Sequence, residues 1–570
     1  MNRRELLGLG LATVAIGLVG CNANPSTSTS VGAGTASGSA GAGSNAFTTQ
    51  TPVKGGTLKI LSSSKEIHFD PAMSQNLATS GIHYIVRGLT AWKTDPSADT
   101  ELVADLATDT GTTTDDGKTW KYTLKDGLKY SDGSAIVAAD VKFGLERSFD
   151  EQLQGGLSYH KVLLDGASDY TGPSNGKHLD SIEVPDEKTI IFHLVRPFAD
   201  WPWITSMPAF APVPATKGMG IPAYDHTPPS SGPYMVKDYQ VGSKVTLVRN
   251  PNWDAATDTV RPAWPDQIDY EMGLNPETSA QRMASDSGDD KNATGPSVTA
   301  ALITKVNADA SLKQRVYVSP SGAISYLVMN TTRPGLKDLA VRQAINYAVN
   351  KQQVQTIQGG PVYGGDIATT LMPPGIIGQA DYDLYPAEPT GDQAKAKELL
   401  QGKAVPALKL VVDSSNPEQG TMASSIVSDL KAVGLTVNVV SQDADKATDT
   451  LTKSGDFDLG FGGWQADYPS AYAALQPILA SSEIGNGNYN MARLSDDALD
   501  AAILAASQET DAAKSKTAWA AIDKQAMALA PVVPLVYNKN AFIYGSNVGG
   551  SYIPSFPSYT NALAQGLKKP

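Results

Sequence analysis

Cysteine is almost missing from this chain, with Cys21 alone among 570 residues. The body beyond it can form no disulfide and offers no thiol nucleophile or thiolate metal site. Histidine is scarce as well: His68, His83, His160, His178, His193 and His226. None stands in a His-x-His, His-x3-His or His-Glu-x-x-His spacing, so no histidine-built metal site is expected. A metal carried by a small chelator would leave no such trace. Basic residues are outnumbered, 45 Lys and Arg against 58 Asp and Glu, for a net charge of −13. That balance argues against nucleic acid or an acidic membrane surface as partner. Also absent are a Gly-x-Ser-x-Gly elbow, a P-loop and a Rossmann glycine pattern. No catalytic residue is therefore nominated and no cofactor is expected. Adjacent acids such as Asp115-Asp116 and Asp289-Asp290 read as solvated turns. A secreted glycoside hydrolase or peptidase is the alternative of another class, and the glycosidase would need two acids facing across a cleft. No fixed-period repeat is present, which excludes solenoids and propellers.

Long apolar runs are lacking too, with one exception at the start. Leu6 to Val19 is apolar over 14 residues behind Arg3 and Arg4. It is shorter than the roughly 20 residues of a membrane span and fits a signal-peptide core. The run ends Leu18-Val19-Gly20-Cys21, which resembles a bacterial lipobox with Cys21 as the lipidated residue. Asn2-Arg3-Arg4-Glu5-Leu6-Leu7 also resembles a twin-arginine export motif without its aromatic. Residues 22 to about 50 are almost all Ser, Thr, Gly, Ala and Asn, without a charge. Such a tract buries too little to offset its ordering entropy and reads as a flexible tether. About 30 such residues reach on the order of 30 Å. The expectation is a signal peptide at 1–20, a linker at 21–53, and a body held outside the cytoplasm by a lipid anchor.

The body beyond the tether has a globular composition, with 41% apolar and 18% charged residues in the whole chain. Some 500 residues exceed one core, so two or three domains are expected. Strand and helix patterns alternate. Gly56 to Leu61 reads as a strand. Trp120–Leu124 and Leu128–Tyr130 flank Asp126-Gly127 as a hairpin would. Ser131–Ser134 makes a second turn, and Ala139 to Phe149 a helix. Further hairpins fall at Ile182–Leu194 and at Tyr234–Val248. Tyr326–Asn330 reads as a strand and Asp338–Val354 as a helix. Leu408–Val412, helical Met422–Val433 and Leu435–Val440 form a βαβ unit. Trp519–Ala530 is helical and leads to the strand Pro534–Tyr537.

Four segments in order carry a family resemblance. The first is Leu102–Thr108, Asp115–Trp120, Leu124–Gly133 and Ala138–Val141. Ser231-Gly232-Pro233-Tyr234 with Arg249–Trp253 is the second. Val341–Ile345 with Ala348–Lys351, and Ala530–Leu535, are the others. Together they resemble the peptide- and nickel-binding class of ABC-importer solute-binding proteins, family 5, over roughly residues 54 to 545. Two features depart from the pattern. Val137 stands where a threonine often caps a helix, and Ser285–Asn292 forms a longer, more acidic loop.

The resemblance implies an α/β fold with two lobes, periplasmic-binding-protein-like, type II, cluster C. An extra α+β domain is inserted in the first lobe. Lobe I would hold 54–92, 206–320 and 536–570, the insert 93–205, and lobe II 321–535. Strands near Tyr326–Asn330 and Leu535–Tyr537 would be the hinge crossings. The implied function is capture of a ligand between the lobes by a monomer that delivers it to an ABC permease. A short peptide is the expected cargo, with an oligosaccharide or a metal chelate as alternatives within the family. The 8 Trp and 22 Tyr could stack on sugars or simply fill cores. Gly463–Pro469 resembles the segment where peptide-binding members place an acid for the ligand's α-amino group, and Asp467 matches that acid. A carboxylate suits an ammonium taken out of water. On local sequence alone Asp467-Tyr468-Pro469 reads as a turn, and only the resemblance sets the ligand role level with it. Trp464 is a candidate ligand contact or a core residue, and Tyr468 and Tyr489 are further cleft candidates.

Overall fold

Residues far apart in sequence build the first sheet. The computed structural model describes residues 50–570 apart from 75–76, 154–155, 174–175 and 217–222. Cys21, the leader and most of the linker lie outside these residues. Thr57–Leu61 runs parallel to Gln267–Glu271 and Ala293–Ser297. The sheet is completed on one side by Lys244–Arg249 and Tyr234–Gln240, the expected hairpin, and on the other by Ala541–Tyr544 and Val316–Val318.

The second sheet orders Gly365–Ile367, Val532–Asn538, Ala323–Met329, Leu459–Trp464, Leu408–Asp413 and Val437–Gln442. Its last two strands are parallel and joined by the helix Pro417–Ala432, the βαβ unit expected from the sequence. Met422, Ile426 and Leu430 recur every four residues on that helix and are buried. Each such side chain contributes about 1.5–3 kcal/mol by leaving water.

A smaller sheet of Thr112–Thr113, Thr119–Thr123, Thr189–His193 and Ile182–Glu183 lies within the expected insert. Trp120 and Tyr122 alternate inward and meet Phe192 and Ile190 across the ladder. The apolar core of this unit is continuous with that of the second sheet, whereas the first sheet is served by separate clusters. Among the described residues no helix is long and apolar enough to cross a membrane.

Several local expectations need correcting. Asp126-Gly127 does turn, but Thr119–Thr123 pairs with Thr189–His193 and not with Leu128–Tyr130. Lys129 bridges Ala135 instead, around the Ser131–Ser134 turn. The helix expected over Asp338–Val354 is two, Leu339–Ala348 and Lys351–Ile357. The Asn350 side chain restarts the second by accepting from Gln353 N–H. At Val137 no side-chain oxygen is available, and half a capping box remains: Val137 N–H donates to Asp140 Oδ2 at 3.1 Å. In the acidic loop, Arg282 draws Glu271 and Asp290 together and Lys59 pairs with Asp289.

The chain leaves the first sheet after Val318, enters the second at Ala323, and returns between Asn538 and Ala541. The boundary expected at 535/536 therefore falls inside a strand of the second sheet. The two crossings are tied together. Ser319 N–H donates to Asn540 O at 2.7 Å, Gly322 N–H to Asn538 O at 3.1 Å, and Asn540 N–H to Ser319 Oγ at 2.8 Å. Gly322 is held tightly: a Cβ there would lie 1.6 Å from Ser558 Oγ.

Candidate ligand-binding site

The strand Leu459–Trp464 delivers the candidate segment to the edge of the second lobe. It lies antiparallel to Ala323–Met329 with Trp464 opposite Ile324. Its end is thus level with the first crossing. Gly462 permits this packing, because a Cβ there would stand 2.4 Å from the Tyr326 ring. Beyond Trp464 the chain bends, and Ser470 caps the helix Ala471–Leu479 by accepting from Tyr472 N–H at 3.2 Å. The bend that local sequence suggested exists, and it also brings Asp467 to Tyr159.

Asp467 is half-buried. Its Oδ2 accepts a hydrogen bond at 2.6 Å from the hydroxyl of Tyr159, a residue of the segment that carries the smaller sheet. Burial pushes its carboxyl above the usual range, and the Tyr159 bond pulls it partly back. A second acid faces the same region. Asp200, also half-buried, accepts from Ser470 Oγ. Burial pushes Asp200 up to about 6, against the Ser470 bond. Neither acid forms an ion pair among the described residues. Glu483, half-buried, accepts from Gln476 Nε2 at 2.8 Å, and lies close enough to help raise Tyr159. Three carboxylates therefore gather around the tyrosines 159, 468 and 472.

The aromatic residues divide by role. Tyr489 stands 4.9 Å from Trp464, ring to ring, and is raised by burial and then by Asp467. Trp464 is half-buried, with its indole N–H engaged by Ala473 O at 2.8 Å. Tyr468 is closed to solvent, its ring 5.7 Å from Tyr159 and stacked 6.4 Å from Trp203. Among the described residues its hydroxyl has no hydrogen-bond partner. The four candidates thus lie in one neighbourhood, Tyr468 beneath its surface. Sequence reasoning missed Tyr159, Asp200, Trp203, Ser470 and Glu483. Asp467 and its partner Tyr159 are 308 positions apart, and Asp200 and Ser470 are 270 apart.

The interface has further contacts. Ala199 N–H donates to Ser507 O at 3.0 Å, Arg196 Nη1 to Ser507 Oγ at 3.2 Å, and Phe198 meets Tyr472 at 4.9 Å. A cavity of about 550 Å³, lined by Asp99, Ile377, Gly378, Lys516 and Thr517, adjoins this region but does not contain Asp467. Elsewhere, ligand atoms of Glu66, His68 and Asp225 lie within 4.8 Å of one another, a grouping that no sequence spacing signals. Asp225 is already engaged there by His68 Nδ1 and the Asp70 N–H, both at 2.7 Å. The His68–Asp225 hydrogen bond accounts for the approach of those two.

Residues 101–486 match the model of the bacterial extracellular solute-binding proteins, family 5 middle region. The solved structure of clavulanic acid biosynthesis oligopeptide binding protein 2 superposes with a TM-score of 0.84 at 30% identity, covering 91% of this chain and 96% of that one. Among curated proteins, a glutathione-binding protein of Salmonella paratyphi A is 25% identical over 78% of this chain and 82% of its own length. Heme-binding protein A of Haemophilus influenzae is 26% identical over 74% and 77% respectively.

Proposed function

The chain belongs to the bacterial extracellular solute-binding proteins of family 5, and from that premise we propose that it is a lipid-anchored receptor for short peptides. It captures its ligand between the lobes and hands it to an ABC import permease, with no chemistry of its own. In this reading 54–92, 206–320 and the C-terminal tail from about 539 form lobe I, 93–205 the insert and 321–538 lobe II, with Cys21 carrying the lipid. The observation that carries the reading is Asp467: a half-buried carboxylate at the lobe junction, bonded to one tyrosine and paired with no cation among the described residues. A peptide's α-amino group supplies the missing charge, through a bond stronger than a neutral one. Trp464 and Tyr489 would then border the first side chain.

A ligand touching both lobes favours the closed state by the contacts that only closure makes. Tyr159 and Asp200 on one side, with Asp467 and Ser470 on the other, are placed to sense it. An oligosaccharide could use the aromatic rings, but it brings no cation for the acids. The relatives' cargoes differ, from glutathione to heme, so the cargo needs a direct test. Thermal shift against a peptide panel and gluco-, chito- and xylo-oligosaccharides supplies it. At 100 times Kd a ligand adds about 2.7 kcal/mol to the folded state, a clear rise in melting temperature. Peptides should produce that rise. A rise with sugars and none with peptides would overturn the peptide reading.

A further inference from the structure

His68 and Asp225 meet as a hydrogen-bonded pair, but Glu66 stands beside them with no hydrogen bond of its own among the described residues. All three sit against Tyr234–Gln240, the edge strand of the first sheet. Tyr239 of that strand fixes the segment that carries Glu66 and His68. Its hydroxyl accepts the Ile67 N–H at 2.9 Å and donates to Ile67 O at 2.8 Å. Ile67 packs on the core beneath, so Glu66 and His68 flank a pinned residue. Asp225 comes from the short helix Ala223–His226 and is buried. The Asp70 N–H orients its Oδ1 at 2.7 Å. Asp70 is locked in turn by two bonds from the Arg147 guanidinium, at 2.7 and 2.6 Å. Such outer bonds aim a carboxylate at an ion and leave its second oxygen for it.

The charges give an independent argument. Ligand atoms of two carboxylates approach within 4.8 Å of each other, and like charges that close disfavour one another unless a cation lies with them. Arg147, the guanidinium that reaches this region, is committed to Asp70. Glu66 is exposed and His68 half-exposed, whereas Asp225 is buried. An ion arriving from solvent therefore meets a carboxylate already aimed at it.

We propose that Glu66, His68 and Asp225 form a site for a divalent transition ion, zinc above all, with water completing its shell. One imidazole nitrogen and two carboxylate oxygens are donors that zinc accepts, at bonds of about 2.0–2.2 Å. The nitrogen favours zinc over magnesium and calcium, which take oxygen. Ligand atoms in a tetrahedral shell of that size stand about 3.3 Å apart. The His68–Asp225 contact, 2.7 Å, opens by about 0.6 Å to reach it, and Glu66 swings inward. The ion takes the place of the proton between His68 Nδ1 and Asp225 Oδ2, which moves to Nε2 or to solvent. Bound there, it ties the segment after Thr57–Leu61 to the helix Ala223–His226, and through Asp70 to Arg147. It is a structural clamp, independent of what the cleft holds. The 157 positions between His68 and Asp225 hide it from any spacing motif.

The test is calorimetry with zinc chloride on the full chain, purified without a histidine tag and stripped with a chelator. One zinc per chain should bind with a micromolar or tighter Kd, and the melting temperature should rise with zinc but not with magnesium. Glu66→Gln, at an exposed residue, should weaken zinc about tenfold or more, at least what the loss of an outer partner costs a metal site. His68→Gln should remove the binding. His193, which pairs with Glu183 at 2.8 Å, is the control, and His193→Gln should leave zinc affinity unchanged. Absence of one-to-one zinc binding in the unaltered protein overturns the site. So does equal affinity in the unaltered protein, Glu66→Gln and His68→Gln, which places the ion elsewhere. A loss in His193→Gln that matches the loss in His68→Gln shows unselective binding to histidine–acid pairs and overturns it as well.

Discussion

Replacing Asp467 by asparagine removes one charge and leaves the shape of the side chain. The Tyr159 hydroxyl, 2.6 Å from Oδ2, can still donate to an amide oxygen, so the lobe contact survives. What is lost is the charge that meets the peptide's amino group. Truncating one partner of a desolvated, hydrogen-bonded charge pair costs about 2–5 kcal/mol. Because Asp467 retains partial exposure, the lower part of that range applies. About 2–3 kcal/mol corresponds to a Kd weakened about 30- to 150-fold. N-acetylation of the peptide removes the same interaction from the other side. It should weaken binding to the original protein similarly and have little further effect on the variant.

Stability should move the other way. The carboxyl of Asp467 is raised by burial, so the folded state holds that proton more tightly than the unfolded chain, whose carboxyl titrates near 3.9. Stability is then lost as pH rises from that value through the folded pKa, and stays lost above it. Asparagine has nothing to lose, so the ligand-free variant should melt no lower than the original protein at pH 7. Calorimetry with a tripeptide and its acetylated form, together with melting curves, reads both effects. An unchanged Kd for the free-amino peptide in a folded variant would refute the reasoning.

Tyr159→Phe removes the donor that helps keep Asp467 ionised; peptide affinity should fall about two- to thirteenfold, as for one hydrogen bond of about 0.5–1.5 kcal/mol, and an unaltered affinity would separate Tyr159 from the site. Gly322→Ala places a methyl group against Ser558 at the crossing. Overpacking of this kind costs about 1–3 kcal/mol. Peptide binding should weaken, with partial recovery in the double variant carrying Ser558→Gly; equal Kd values in all three proteins would contradict a tight crossing. His160 is buried, and burial lowers it to about 3. Below pH 6.5 the unfolded chain binds the extra proton, so folded stability falls with pH, by about 2 kcal/mol from this group at pH 5. His160→Gln should flatten that slope in urea unfolding compared between pH 7 and pH 5, and an identical slope would refute the assignment.

The parts of the molecule readable in the sequence are those governed by local periodicity. The helix Pro417–Ala432 and its two flanking strands follow from the apolar repeat of Met422, Ile426 and Leu430 and from the alternation on either side. Asp126-Gly127 misleads as a hairpin signal because a turn specifies only a reversal. The partner of Thr119–Thr123 is chosen by Ile190 and Phe192, far along the chain. The break after Ala348 depends on Asn350 capping a new helix, a choice the apolar stripe does not record. Asp467 can be nominated through the family resemblance of its segment, although local sequence alone favours a turn there. Tyr159 and Asp200 cannot, because what brings them to Asp467 and Ser470 is the packing of the insert against the second lobe. Nor does sequence reveal that Tyr468, next to Asp467, turns inward at the bend.

The central claim is that the cleft holds a peptide by its amino terminus. A crystal structure of the protein loaded with a tripeptide tests it most directly. The account predicts the ligand's terminal nitrogen at about 2.7–3.0 Å from an Asp467 carboxylate oxygen, with both lobes touching the peptide. A peptide whose amino group lies away from Asp467, or one bound outside the interlobe region, would contradict it.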